Sequence, residues 1–173
     1  MRRSLLAVAI VATTGCGPVR EIATPSPFPR APVRVPAGPT VEPPALIATS
    51  AILQTALGLQ GTAYRLGGDD PARGFDCSGF VRYVFARHGI AMPRTVTEQL
   101  SVGRDVPGNQ IQAGDLVFFA TTSSRLPTHV GIALGPTAPG EFIHAPADGR
   151  VVRIEHFDTT YWRARWIGAR RPL

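Results

Sequence analysis

The sequence predicts an α+β fold in which helices come first and an antiparallel sheet follows. Helix-forming apolar segments fall between residues 45 and 99, and short β-type runs fall after Gly114. A chain that passes through helices and then through consecutive strands, without alternating them, builds an antiparallel sheet with the helices packed on it. A third observation limits this domain to residues 45–173: the segment in front of it has a composition that forbids a core.

Residues 45–60 (ALIATSAILQTALGLQ) are rich in Ala and Leu, with Gly61 as a stop, and predict the first helix. Asp76 to His88 predicts the second. Asp76 is an N-cap candidate, Phe80, Val81, Val84 and Phe85 recur on one face, and Gly89 ends it. Pro93 leads into a short third helix whose Thr95 and Glu98 have capping-box spacing. Leu116–Phe119, Val130–Leu134, Glu141–Ala145 and Val151–Ile154 then read as strands, and Trp166–Ala169 as a last one. Gly135-Pro136 and Pro139-Gly140 break the chain between two of these, which predicts a hairpin.

Residues 1–15 have the layout of an export signal: Arg2 and Arg3, an apolar run from Leu5 to Ala12, then small residues up to Gly15. Cys16 follows. The Gly-Cys ending resembles a bacterial lipoprotein signal, although Thr13 stands where Leu is commoner, and it implies a lipid on Cys16. Residues 17–44 hold nine of the 17 prolines, so no helix or central strand forms there. We read residues 16–44 as a lipidated cysteine and an extended linker. Its 28 residues after Cys16 reach roughly 90 Å at ~3.1 Å per residue. This layout places the protein in the cell envelope, anchored to a membrane, the outer membrane by expectation, and facing the periplasm.

Charge and cysteine content exclude other classes. All 18 basic residues are Arg, and against 12 acids they give +6. Loss of residues 1–15 takes away two arginines and no acid, leaving +4. So modest a charge favours an anionic envelope over nucleic acid as partner. Two cysteines build neither a disulfide scaffold nor a multi-cysteine zinc framework.

The chemistry-bearing residues lie where helices and strands would meet. Cys77 opens the second helix, where unpaired backbone N–H groups and the helix dipole favour a thiolate. His129 begins one strand and His144 lies in the next. With Gly131 opposite His144 the two histidines fall on one face as diagonal neighbours; a one-residue slip would separate them. Cys77 would then attack, His129 would act as base and acid, and His144 would orient the His129 ring. On residue type alone Cys77 could equally be a small buried hydrophobe and the histidines core residues. The three could also ligate a metal, although no close-spaced ligand pair is present. Ser78 lacks a Gly-x-Ser-x-Gly elbow, which argues against a serine hydrolase.

Six blocks in order resemble the NlpC family of bacterial cell-wall cysteine peptidases. They are Tyr64-Arg65-Leu66-Gly67-Gly68, Asp76 to Val81, Pro93-Arg94-Thr95 with Glu98-Gln99, Gly114 to Phe119, His129 to Ile132, and Phe142 to Ala145. Tyr161-Trp162 and Ala169-Arg170-Arg171 are similar to the end of the lipoprotein murein endopeptidases of that group. The resemblance implies a papain-like α+β fold with the nucleophile at a helix N-terminus. It implies Cys77 as nucleophile, His129 as base and His144 as third polar residue. Tyr64 would help bind the oxyanion, and Asp76 and Ser78 would line the substrate groove, their ordinary roles being helix cap and first-turn polar residue. The implied reaction is thiolate cleavage of amide bonds in peptidoglycan stem peptides or their cross-links, through an acyl-enzyme and with no metal or cofactor. The expected protein is a monomer. Two rival readings remain from the sequence: a non-catalytic peptidoglycan-binding or scaffold lipoprotein on the same fold, and a papain-like amidase or acyltransferase acting on another substrate. The loop from Thr121 to Pro127 departs most from the family and leaves bond specificity open.

Overall fold

The structure, a computed structural model, describes residues 44–173 apart from 124 and 137–139. The export signal, Cys16 and nearly all of the linker lie outside these described residues. Helix α1 covers Pro44–Gly58, α2 Cys77–Ala86, α3 Val96–Gln99 and α4 Thr160–Arg163. A two-residue ribbon pairs β1 (Asp69–Asp70) with β2 (Gly74–Phe75) just before α2. The remaining strands are β3 (Arg104–Val106), β4 (Leu116–Phe119), β5 (His129–Ala133), β6 (Glu141–His144), β7 (Arg153–His156) and β8 (Trp166–Arg171). They form one sheet in the order β3-β8-β4-β5-β6-β7, every neighbouring pair antiparallel.

Strand alternation divides the core in two. Leu116, Phe118, Val130, Ile132 and Ile143 point to one face, where Ile52 and Ala56 of α1 and Phe80, Val81, Val84 and Phe85 of α2 cover them. Val117, Phe119, Ala133, Phe142 and Ala169 point to the other face, covered by Phe157 and Trp162. Because both faces are buried, β4 and β5 are apolar at nearly every position and do not alternate with polar residues. Six of the eight phenylalanines are fully buried. At ~1.5–3 kcal/mol for each such side chain, they carry much of the apolar stabilisation.

Local chemistry fixes the element ends. The Asp76 side chain accepts from the Gly79 N–H and caps α2, while Gly89 takes φ 74 just after it. Thr95 and Glu98 form both bonds of the capping box. The expected hairpin is present as β5–β6, with Ile132 opposite Ile143 and Ala133 opposite Phe142.

One expected strand begins two residues later. Val151 bridges Ala63, and the Val152 N–H donates to Thr62 O, before the chain joins the sheet at Arg153. The segment is first captured by the backbone in front of β1. Strand β3 and helix α4 were not expected. Arg104-Asp105-Val106 is a short polar edge strand, and α4 is one turn, so neither carries a periodic signal.

Candidate active site

The helix N-terminus is assembled around one carboxylate. Asp76 is 8% exposed and accepts the Gly79 N–H at 2.7 Å and the Gly67 N–H at 2.9 Å. Arg94 donates to both of its oxygens, at 3.0 and 2.6 Å, and to Ser78 Oγ at 2.9 Å. Asp76 therefore ties the Tyr64–Gly68 loop to α2, and Arg94 balances its charge. A Cβ on Gly79 would lie 2.0 Å from the Gly68 carbonyl oxygen, so only glycine lets loop and helix approach this closely. Gln99, fully buried, donates to Ser78 O at 3.0 Å and Pro93 O at 2.8 Å, holding the first turn of α2 from the other side.

Cys77 is placed by this frame. It is buried and packs in the α2-side core. Backbone N–H groups of Val130, Ser78 and Cys77 itself favour its thiolate, as the helix N-terminus suggests. Burial is nevertheless the largest influence, and with the Asp76 charge it pushes the thiol up to about 11. The helix end favours the thiolate as expected, but the desolvation of a buried sulfur outweighs it. Tyr64 runs beside Phe75, its N–H donating to Arg150 O at 2.8 Å. Burial raises its phenol, and the neighbouring Cys77 and Asp76 charges raise it further, so it stays a protonated donor.

The two histidines meet directly. His129 Nε2 and His144 Nδ1 share a hydrogen bond of 2.7 Å. The β5–β6 register, carried one step on from Ile132 and Ile143, sets Gly131 opposite His144, and this makes the two histidines diagonal neighbours on one face. A Cβ on Gly131 would lie 2.5 Å from the Phe142 ring and 3.1 Å from His144 Cβ, so the glycine gives the pair its room. Both rings lie against the second core: Trp162 stacks on His129 at 5.5 Å and 24° and meets His144 edge-on at 5.3 Å. Burial lowers His129 to about 3, helped by its histidine neighbour, and burial likewise lowers His144. The resting pair is neutral. The structure thus joins His129 to His144 directly and places Cys77 against the backbone of Val130, the residue after His129.

Two neighbours, Glu155 and Arg153, carry no motif signal. Glu155 on β7 stands 3.7 Å from His144 Nε2 through Oε1 and accepts from Trp162 Nε1 at 2.6 Å through Oε2. It also pairs with Arg153. His144 and Trp162 together hold its carboxyl down to about 2 against its burial. Arg94 does sit in one of the quoted blocks, but its bond to Asp76 joins residues 18 apart. His88 Nε2 bonds Thr55 Oγ1 at 2.8 Å and joins α1 to the end of α2, while His156 faces Glu141 across β6–β7 at 3.5 Å.

A buried cysteine at a helix N-terminus, on an antiparallel sheet that carries a histidine pair, is the arrangement of a papain-like fold, which the solved structures below share. Residues 61–171 match the model of the NlpC/P60 family, and the chain belongs to that family. It is 37% identical over 116 residues to the murein DD-endopeptidase MepH of Escherichia coli, covering 65% of this chain and 42% of that protein. It is 38% identical over 115 residues to the murein DD-endopeptidase/LD-carboxypeptidase MepS of E. coli, covering 66% and 57%. It is 34% identical over 122 residues to the gamma-DL-glutamyl hydrolase of Bacillus subtilis, covering 69% and 29%. The chain thus spans less than two thirds of each of these relatives. Among solved structures, an NlpC/P60 family protein from Bacillus cereus matches at TM-score 0.67 and 33% identity, covering 72% of this chain and 40% of that one. The NlpC/P60 domain of the peptidoglycan hydrolase SagA matches at 0.60 and 36%, covering 71% and 97%.

Proposed function

We propose that the protein is a peptidoglycan endopeptidase that cuts amide bonds of stem peptides or their cross-links through Cys77, His129 and His144. The observation that carries this is the buried 2.7 Å histidine pair across β5 and β6, beside the Val130 amide of β5 that holds the Cys77 thiol. His144 engages Nε2 of His129, so Nδ1 is the nitrogen that takes the thiol proton. A thiol near 11 and an imidazole near 3 rest as a neutral pair. Proton transfer accompanies attack: Sγ bonds the amide carbon as its proton passes to His129. The Cys77 N–H and the Tyr64 hydroxyl stabilise the oxyanion that develops. The C–N bond then breaks, His129 returns the proton to the leaving amine, and a thioester remains. Water attacks the thioester as His129 takes its proton, the C–S bond breaks, His129 returns the proton to Cys77 Sγ, and the acid product leaves as a carboxylate after giving its proton to solvent. No step calls for a metal.

Bonds in cross-links fit best, given the endopeptidase names of MepH and MepS. The D-glutamyl–diaminopimelate bond comes next. We further propose a monomer held at the envelope by a lipid on Cys16, facing the periplasm from the outer membrane. The test is to incubate purified muropeptides with the protein and with Cys77→Ala and to weigh the products. New peptide termini are expected with the wild type alone. Equal cleavage by Cys77→Ala would refute the cysteine mechanism, and no cleavage of any muropeptide would favour a binding protein. Mass analysis of the mature N-terminal peptide tests the anchor: a diacylglycerol on Cys16 is expected, and its absence overturns it.

A further inference from the structure

Resting on that reading, we infer that Glu155 is a positioning residue of the same site: it fixes the proton of His144 on Nε2 and thereby leaves Nδ1 of His144 to accept from His129. The geometry forces the assignment in sequence. If His129 Nδ1 is to receive the thiol proton, Nε2 of His129 carries its hydrogen and donates across the 2.7 Å bond. His144 Nδ1 must then be the acceptor, so the hydrogen of His144 lies on Nε2. That atom is fully buried and makes no hydrogen bond of its own among the described residues. An anionic group faces it, Glu155 Oε1 at 3.7 Å, an electrostatic partner for an N–H and an unfavourable one for a bare lone pair.

The carboxylate is itself fixed. Trp162 donates to Oε2 at 2.6 Å, and the same indole stacks on the His129 ring. One side chain therefore aligns both ends of the series. Arg153, which faces His144 across β6–β7, would otherwise set a guanidinium charge beside the imidazoles; its pairing with Glu155 neutralises that charge. Among the described residues, the charged groups that act on the pair are Arg153 and Glu155 on β7, besides the two imidazoles on each other, and Glu155 supplies the carboxylate that meets His144. As His129 becomes an imidazolium, this carboxylate stabilises it through His144.

Glu155→Gln keeps the shape and removes the charge. With muropeptide as substrate, kcat is expected to fall on the order of tenfold, a part of the ~10²–10⁴ that positioned acid–base catalysis supplies, with KM unchanged. The acid limb of the kcat/KM profile should move to lower pH, because a carboxylate that raises the histidine pKa has gone. Glu155→Asp should leave that limb in place. Nitrogen NMR of the labelled imidazoles reads the inference without turnover: His144 protonated on Nε2 in the wild type, and on a mixture of nitrogens in Glu155→Gln. His144 protonated on Nδ1 in the wild type overturns the inference, as do an unchanged tautomer and acid limb in Glu155→Gln. The expected tautomers in a protein that cleaves no muropeptide would uphold the positioning role and reject the proposed function.

Discussion

Arg94→Met isolates the Asp76 carboxylate at the head of α2. It removes the two bonds of 3.0 and 2.6 Å and leaves Asp76 with two backbone amides and the Ser78 hydroxyl. Removing one partner of a fully buried pair costs ~3–5 kcal/mol. The Arg94 side chain is 35% exposed, so water replaces part of what is lost, and we expect about 2 kcal/mol. For a domain of this size that is a fall in Tm of about 5–10 °C. Asp76→Asn removes the charge that Arg94 balances, so the double variant should lose less than the two singles together, by ~1–2 kcal/mol. Thiol alkylation supplies a second readout. The Asp76 charge raises the Cys77 thiol, so Arg94→Met should slow alkylation at fixed pH and Asp76→Asn should speed it. Thermal unfolding of the four proteins, with iodoacetamide rates beside it, decides the matter. Additive losses of stability, or alkylation shifts of the same sign in both single variants, would refute the reasoning.

Acid should destabilise the fold from an unusually high pH. His129 is lowered from 6.5 to about 3, so between those values the unfolded chain binds the extra proton and stability falls as pH falls. Glu155, lowered from 4.5 to about 2, adds to the loss only below about 4.5. Tm measured from pH 7 to 5 should therefore decline, and His129→Gln should flatten that decline; an equal slope in both proteins would count against a buried neutral His129. Gly131→Ala should force β5 and β6 apart at His144, because its Cβ would lie 2.5 Å from the Phe142 ring. Muropeptide turnover is expected to drop on the order of 10²-fold, as for a displacement near 1 Å in a catalytic group, and unchanged turnover would show that the pair tolerates the shift.

What the sequence revealed followed from how local each signal is. Asp76 and Cys77 act within one helical turn, so the cap and the cysteine at the helix start could be read directly, whereas the close approach at Gly79 depends on a loop from outside the helix. The histidine pair needed one further assumption, the hairpin register, which two breaking dipeptides suggested. Glu155 could not be read, and Trp162 was visible only in a family-like ending, without its contact to the histidines. They reach the histidines through β7 and a single-turn helix, and nothing in an isolated Glu or Trp announces a neighbour on another strand. The burial of the thiol was hidden for a similar reason. A helix N-terminus is visible in sequence, whereas the burial that outweighs it comes from β5, about fifty residues away.

The sheet separates two cores, and the reacting groups are divided between them. Cys77 belongs to the helical layer, while both imidazoles rest on the Trp162 layer. The proposed proton transfer thus runs from one layer to the other beside β5, whose Val130 meets the thiol and whose His129 meets Trp162. A cavity opened at Phe157 would remove packing from Phe142, which lies against His144 in the layer that carries the imidazoles. The layer in which a cavity is opened therefore decides whether it lies on the thiol's side of the sheet or on that of the imidazoles.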